Sequence, residues 1–132
     1  LEVDRQRIST GSELERTAGY SRAMRVGNMV FVSGTAAVDQ GGNTIAPDDA
    51  ETQTREILKK IERALHEAGS RLEDVVMTRM YVTDIAHAGA AGRVHGEFFG
   101  EIRPASLLVE ISALARPGLV VEIEAQAVIE DR

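Results

Sequence analysis

Arg103-Pro104-Ala105-Ser106-Leu107-Leu108-Val109-Glu110, followed by Glu122-Ile123-Glu124-Ala125, is the stretch that decides the fold of this 132-residue chain. Its alternation of aliphatic and polar residues has the period of an extended strand. It reads as two neighbouring strands, with Arg116-Pro117-Gly118 turning the chain between them and acidic residues on one face of each. In residues 105–113, Leu107, Val109 and Ile111 alternate with Ser106, Leu108 and Glu110. In residues 119–129, Leu119, Val121, Ile123, Ala125, Ala127 and Ile129 share one face, and Val120, Glu122, Glu124, Gln126 and Val128 share the other. Such a sheet has one face for a core and a second, mixed face for a partner subunit or a ligand.

Working outward, Val75 to Thr83 is β-branched and apolar and predicts a strand with burial on both faces. Ala23–Val26 and Met29–Ser33 flank Gly27-Asn28, a pair that tolerates positive φ and so predicts a tight hairpin. Gly34 is expected to end the second of these strands, where a side chain would crowd a nearby backbone or ligand. Arg5 to Ser9 predicts a short edge strand, Glu13 to Gly19 a loop, and residues 39–49 a second loop. Ile57, Leu58, Ile61, Ala64, Leu65 and Ala68 follow helical spacing, with Asp48 as N-cap, Glu51 completing a capping box and Gly69 as the stop. A second helix is expected over residues 87–99 behind an Asp84 cap. Its Gly89, Gly92 and Gly96 each weaken it by about 1 kcal/mol relative to alanine, which suggests close packing on the sheet or a partly irregular segment. The sum is one α+β domain over residues 1–132, a two-layer sandwich of a mixed six-stranded sheet with two helices on one face. The helices cover the aliphatic face. The other, showing Leu108, Val120 and Val128 among carboxylates, is expected to be buried against another copy of the chain.

Composition narrows the function. The absence of cysteine excludes disulfides and thiolate chemistry and fits a reducing compartment. A net charge of −6, no basic run and 4% aromatics argue against nucleic-acid binding. No apolar run approaches the ~18 residues of a membrane span, and the N-terminus lacks a signal pattern, so a cytoplasmic protein is expected. His66, His87 and His95 have no carboxylate or second histidine at ligand spacing, so no metal is expected. Tyr20 either covers the end of the core or lines a pocket with its hydroxyl. Glu110, Glu122 and Glu124 form either a solvated or intersubunit face, or a site in which one carboxylate orients a water as general base. Arg103 is the nearest cation by sequence, either a surface ion-pair partner or a fork for a substrate carboxylate.

Several segments together resemble the Rid/YjgF family: Gly19-Tyr20-Ser21-Arg22-Ala23, Gly27 to Gly34, Thr54-Arg55 with Ile57-Leu58 and Ile61, Leu72 to Asp84, Arg103-Pro104-Ala105 and Val121 to Ala125. The resemblance covers roughly residues 15–129. It implies a chorismate-mutase-like fold, a homotrimer with ligand clefts between subunits, and cofactor-free hydrolysis of enamine and imine intermediates to a 2-oxo acid and ammonia. By position, it makes Glu122 the catalytic carboxylate and places Tyr20 and Gly34 in the cleft. The family's carboxylate-binding arginine corresponds to Ser106, which carries no charge. The reading is therefore a Rid-like deaminase or hydrolase with an altered small-molecule substrate, its cleft lined also by Ser106, Leu108 and Arg103. The alternative is a non-catalytic trimeric binding or regulatory protein on the same scaffold.

Overall fold

The structure, a computed structural model, describes residues 4–130. The N-terminal reading of residues 1–3 and the two ends of the 1–132 span lie outside the described residues. Six strands are formed: β1 (Arg5–Ile8), β2 (Ala23–Val26), β3 (Met29–Ala36), β4 (Val75–Val82), β5 (Ala105–Glu110) and β6 (Val121–Val128). They make one sheet in the order β1-β2-β3-β6-β4-β5, with β4 and β5 parallel and all other pairs antiparallel. This is the expected mixed six-stranded sheet. The helices are α1 (Glu13–Ala18), α2 (Ala50–Glu67) and α3 (Ala88–Phe99), and α2 packs on both α3 and the sheet.

The core follows from strand alternation. Val30 and Val32 of β3, Thr78, Met80 and Val82 of β4, and Val121, Ile123, Ala125 and Ala127 of β6 are buried. They meet Ile57, Leu58, Ile61 and Leu65 of α2 and Val94 and Phe99 of α3. The opposite face carries Met29, Phe31, Tyr81, Leu107 and Val109 around Glu122 and Glu124, while α2 and α3 pack on the core side. Burial of β4 is thus heavier on one face than on the other, where Met77, Arg79 and Tyr81 are half-buried.

Several expectations need correction. β5 and β6 are not neighbours, because β4 lies between them. A parallel partner for β5 sets its register, with Ser106 opposite buried Thr78 and Leu108 opposite buried Met80. Ser106, Leu108 and Glu110 therefore face the helices, while Leu107 and Val109 lie on the open face. Alternation alone shows that two faces exist; only the partner strand says which is which. Val120 is also buried, its N–H donating to Gln53 Oε1 at 2.9 Å.

Residues 13–18 are helical rather than a loop. Ser12 caps α1 by accepting from the Glu15 N–H, and Gly19 closes it at φ 76°. The signal was present as Ser12-x-x-Glu15, the capping-box spacing. Asp49, not Asp48, caps α2 by accepting from the Thr52 N–H at 3.0 Å. Asp84 caps a 3-10 turn at Ile85–His87 that precedes α3 rather than α3 itself. Gly89, Gly92 and Gly96 are exposed, and a Cβ on any of them would meet nothing within 4 Å, so close packing does not explain them.

Candidate functional site

Strand β3 runs past Gly34 to Ala36, but its pairing slips on the way. Val32 pairs with Ala125 and Thr35 with Ile123, so Ser33 and Gly34 together oppose Glu124. This β-bulge bends the strand and re-aims nearby groups. It is held by Ser33 Oγ, which donates to the Ser21 carbonyl at 2.6 Å, and by the Ser33 N–H, which donates to the Arg22 carbonyl at 3.0 Å.

Glu122 lies over the bulge. A Cβ added to Gly34 would sit 2.9 Å from Glu122 Oε2, so the glycine makes room for the carboxylate. Glu122 is half-buried, and burial pushes its carboxyl above the usual 4.5, with the Arg22 charge opposing and the Glu124 charge reinforcing the rise. A half-buried carboxyl with a raised pKa beside an exposed glycine can accept a proton from water or a bound ligand. One strand over, the Tyr81 hydroxyl donates to Glu124 Oε1; that bond raises the phenol's pKa.

Arg22 is a residue the sequence reading missed. It immediately precedes β2, and its backbone is clamped from both sides: its N–H donates to Ile8 O, and its carbonyl accepts from Ser33. Arg22 Nη2 donates to the Gly34 carbonyl at 2.5 Å. Nearby, Lys60 of α2 donates to the carbonyls of Ala36 and Val38. Burial lowers the Lys60 pKa, and the Arg22 charge adds to that.

Gly34 and Glu122 are thus brought together. Tyr20 stands two residues before Arg22, at the surface just after α1, and its N–H donates to Glu15 O. Ser106, Leu108 and Arg103 are placed apart from Glu122. Ser106 Oγ bonds Thr78 Oγ1 at 2.7 Å, and Thr78 Oγ1 in turn bonds His95 Nε2 at 2.8 Å, all on the helix side. Glu110, also on that side, accepts from the Ile85 N–H at 2.8 Å and is no part of a carboxylate cluster. Arg103 begins the turn into β5 at φ 54°, its Nε donating to Gly100 O at 3.1 Å. Among the described residues, no group of three or more His, Asp or Glu is placed to hold a metal ion, and no helix is long and apolar enough to cross a membrane.

Beyond the start of β6, Thr83, Asp48 and residues 112–120 line an open depression of about 430 Å³ that does not include Glu122. Glu122 itself lies half-buried on the open sheet face, on a ledge flanked by β3 and β4.

Residues 10–129 match the family described as Endoribonuclease L-PSP. This chain belongs to that family. A RutC family protein of Pyrococcus abyssi is 38% identical over 108 residues, covering 82% of this chain and 84% of its own. The 3-aminoacrylate deaminase RutC of Acinetobacter baylyi is 34% identical over 110 residues, 83% of this chain and 86% of its own. A Mycobacterium tuberculosis member of the YjgF/YER057c/UK114 family superposes with a TM-score of 0.87 at 48% identity, covering 96% of this chain and all of that one. The resemblance to the Rid/YjgF family read from the sequence holds, and so does the α+β fold it implied.

Proposed function

We propose that this protein hydrolyses small enamine or imine substrates at clefts between the subunits of a homotrimer, with Glu122 as general base. The carrying observation is the half-buried Glu122 carboxyl, raised in pKa, set over an exposed glycine. The 3-aminoacrylate deaminase among its relatives supports the reaction class. An enamine first takes a proton from solvent on carbon to become the iminium form of the imine. Glu122 accepts a proton from water as the oxygen bonds to the imine carbon and the C=N π electrons move to nitrogen. The proton taken by Glu122 passes to the resulting amine, and as the C–N bond breaks and ammonia leaves, the hydroxyl gives its proton to water and becomes the carbonyl. No redox partner is needed.

The uncovered sheet face supports the assembly. Met29, Phe31, Leu107 and Val109 are each 38–42% exposed on it, an apolar surface costly to leave in water and continuous with the Glu122 ledge. A neighbouring copy laid there turns the ledge into a cleft. The endoribonuclease activity in the family's description is less well supported, since a net charge of −6 without a basic run opposes binding of a polyanion.

A second reading, a ligand-binding protein without turnover, is favoured by Ser106. The residue at the expected substrate-carboxylate position is neutral, and its hydroxyl is engaged with Thr78. One assay separates the two. A pyridoxal-phosphate enzyme generates 2-aminoacrylate and related imines in situ, and carbonyl product is followed with and without the protein. Acceleration for at least one substrate supports the hydrolase; none across a panel of side chains leaves the binding protein.

A further inference from the structure

We propose that Arg22 receives the anionic end of the ligand at the Glu122 site, so that the site selects small carboxylates although Ser106 carries no charge. This rests on the reading of Glu122 and Gly34 as a small-molecule site. Four observations carry it. The backbone of Arg22 is bonded to β1 on one side and β3 on the other, so the guanidinium projects from a rigid base. Its Nη2 meets the carbonyl of Gly34, the same residue over which Glu122 lies, so cation and carboxylate converge on one exposed glycine. They nonetheless form no direct ion pair among the described residues, so neither charge is taken up by the other at contact distance. Finally, Arg22 Nε is buried without a hydrogen-bond partner among the described residues.

A guanidinium offers five N–H donors in a fixed fork. Among the described residues, one acceptor meets that of Arg22, the Gly34 carbonyl. The unmet Nε–H is enclosed, so an incoming carboxylate would meet the guanidinium at its Nη edge. A carboxylate matches the fork in geometry and charge. Lys60 lies close enough for the two cations to repel, which strengthens the local preference for an anion on an otherwise acidic chain. A substrate anchored this way has its α-carbon next to its carboxylate and therefore near Glu122. Serine at 106 is then no loss of anion recognition, because the charge is supplied from the other side of the sheet order, beside the bulge in the β3–β6 pairing.

Equilibrium binding tests this independently of turnover. Propionate and the neutral propionamide are titrated by ligand-observed NMR against the wild type, Arg22→Gln, Arg22→Lys and Glu122→Gln. The wild type is expected to prefer propionate by about 10- to 100-fold, the worth of charge-assisted hydrogen bonds. Arg22→Gln loses that preference, Arg22→Lys keeps part of it, and Glu122→Gln retains it. An undiminished preference in Arg22→Gln, or no saturable propionate binding by the wild type, overturns the proposal. If Arg22 only pins the bulge, its variants melt lower with the preference intact, which also overturns it. Propionate binding through Arg22 without any imine hydrolysis would remove the catalytic reading and leave this one standing. Hydrolysis with KM unchanged in Arg22→Gln would do the reverse.

Discussion

Glu122 holds its proton to a higher pH in the folded chain than its ordinary value of 4.5, because burial penalises the charged form more than Arg22 favours it. A raised carboxyl contributes stability that is full below the unfolded pKa and lost as pH rises through the folded one. Glu122→Gln is therefore expected to melt above the wild type at neutral pH, with the gap closing as pH falls towards 4.5. Thermal melting at a series of pH values checks this, and a variant that melts lower at pH 7 contradicts it. Gly34→Ala tests the geometry. The φ of Gly34 is not positive, so the backbone accepts alanine, and the new Cβ meets the movable end of Glu122 at 2.9 Å. Melting should change little, while displacement of the carboxylate should lower kcat by about 10²-fold. Gly34 was legible in the sequence as a place where a side chain would crowd something. Arg22 was not, because its role depends on a β-bulge, and no local residue pattern showed that Ser33 and Gly34 would share one partner.

The long helix α2 and the β2–β3 hairpin could be read directly, since apolar spacing and a Gly-Asn turn are local signals. The faces of β5 could not, because its parallel pairing with β4 is a contact between distant segments. Gln53 was hidden for the same reason. Fully buried at the start of α2, it donates to the carbonyls of Ile45, Ala46 and Gly118 and accepts from the Val120 N–H, tying two loops to the helix. Gln53→Leu leaves these groups without partners and should cost about 3 kcal/mol or more in chemical denaturation. The glycines of α3 point the other way. With open space at each Cβ, Gly89→Ala, Gly92→Ala and Gly96→Ala should each stabilise the chain by about 0.5–1 kcal/mol. Destabilisation would show that a neighbouring copy packs against that helix face.

The whole molecule presents one face closed by helices and one open face of aliphatic and carboxylate side chains. The sequence pattern already divided the sheet into these two faces, and β6 kept its assignment. The proposed trimer buries the open face, so Phe31→Glu or Val109→Lys, each adding charge to an exposed apolar position there, should shift sedimentation at micromolar concentration from trimer to monomer. A wild type that sediments as a monomer would leave the ledge without its second wall. The most direct test of the account is the rate of carbonyl product formation from 2-aminoacrylate and related imines, measured at neutral pH for the wild type and Glu122→Gln side by side. The account predicts acceleration by the wild type on at least one carboxylate-bearing imine and a loss of about 10²-fold or more in Glu122→Gln. Equal rates for the two proteins would contradict it.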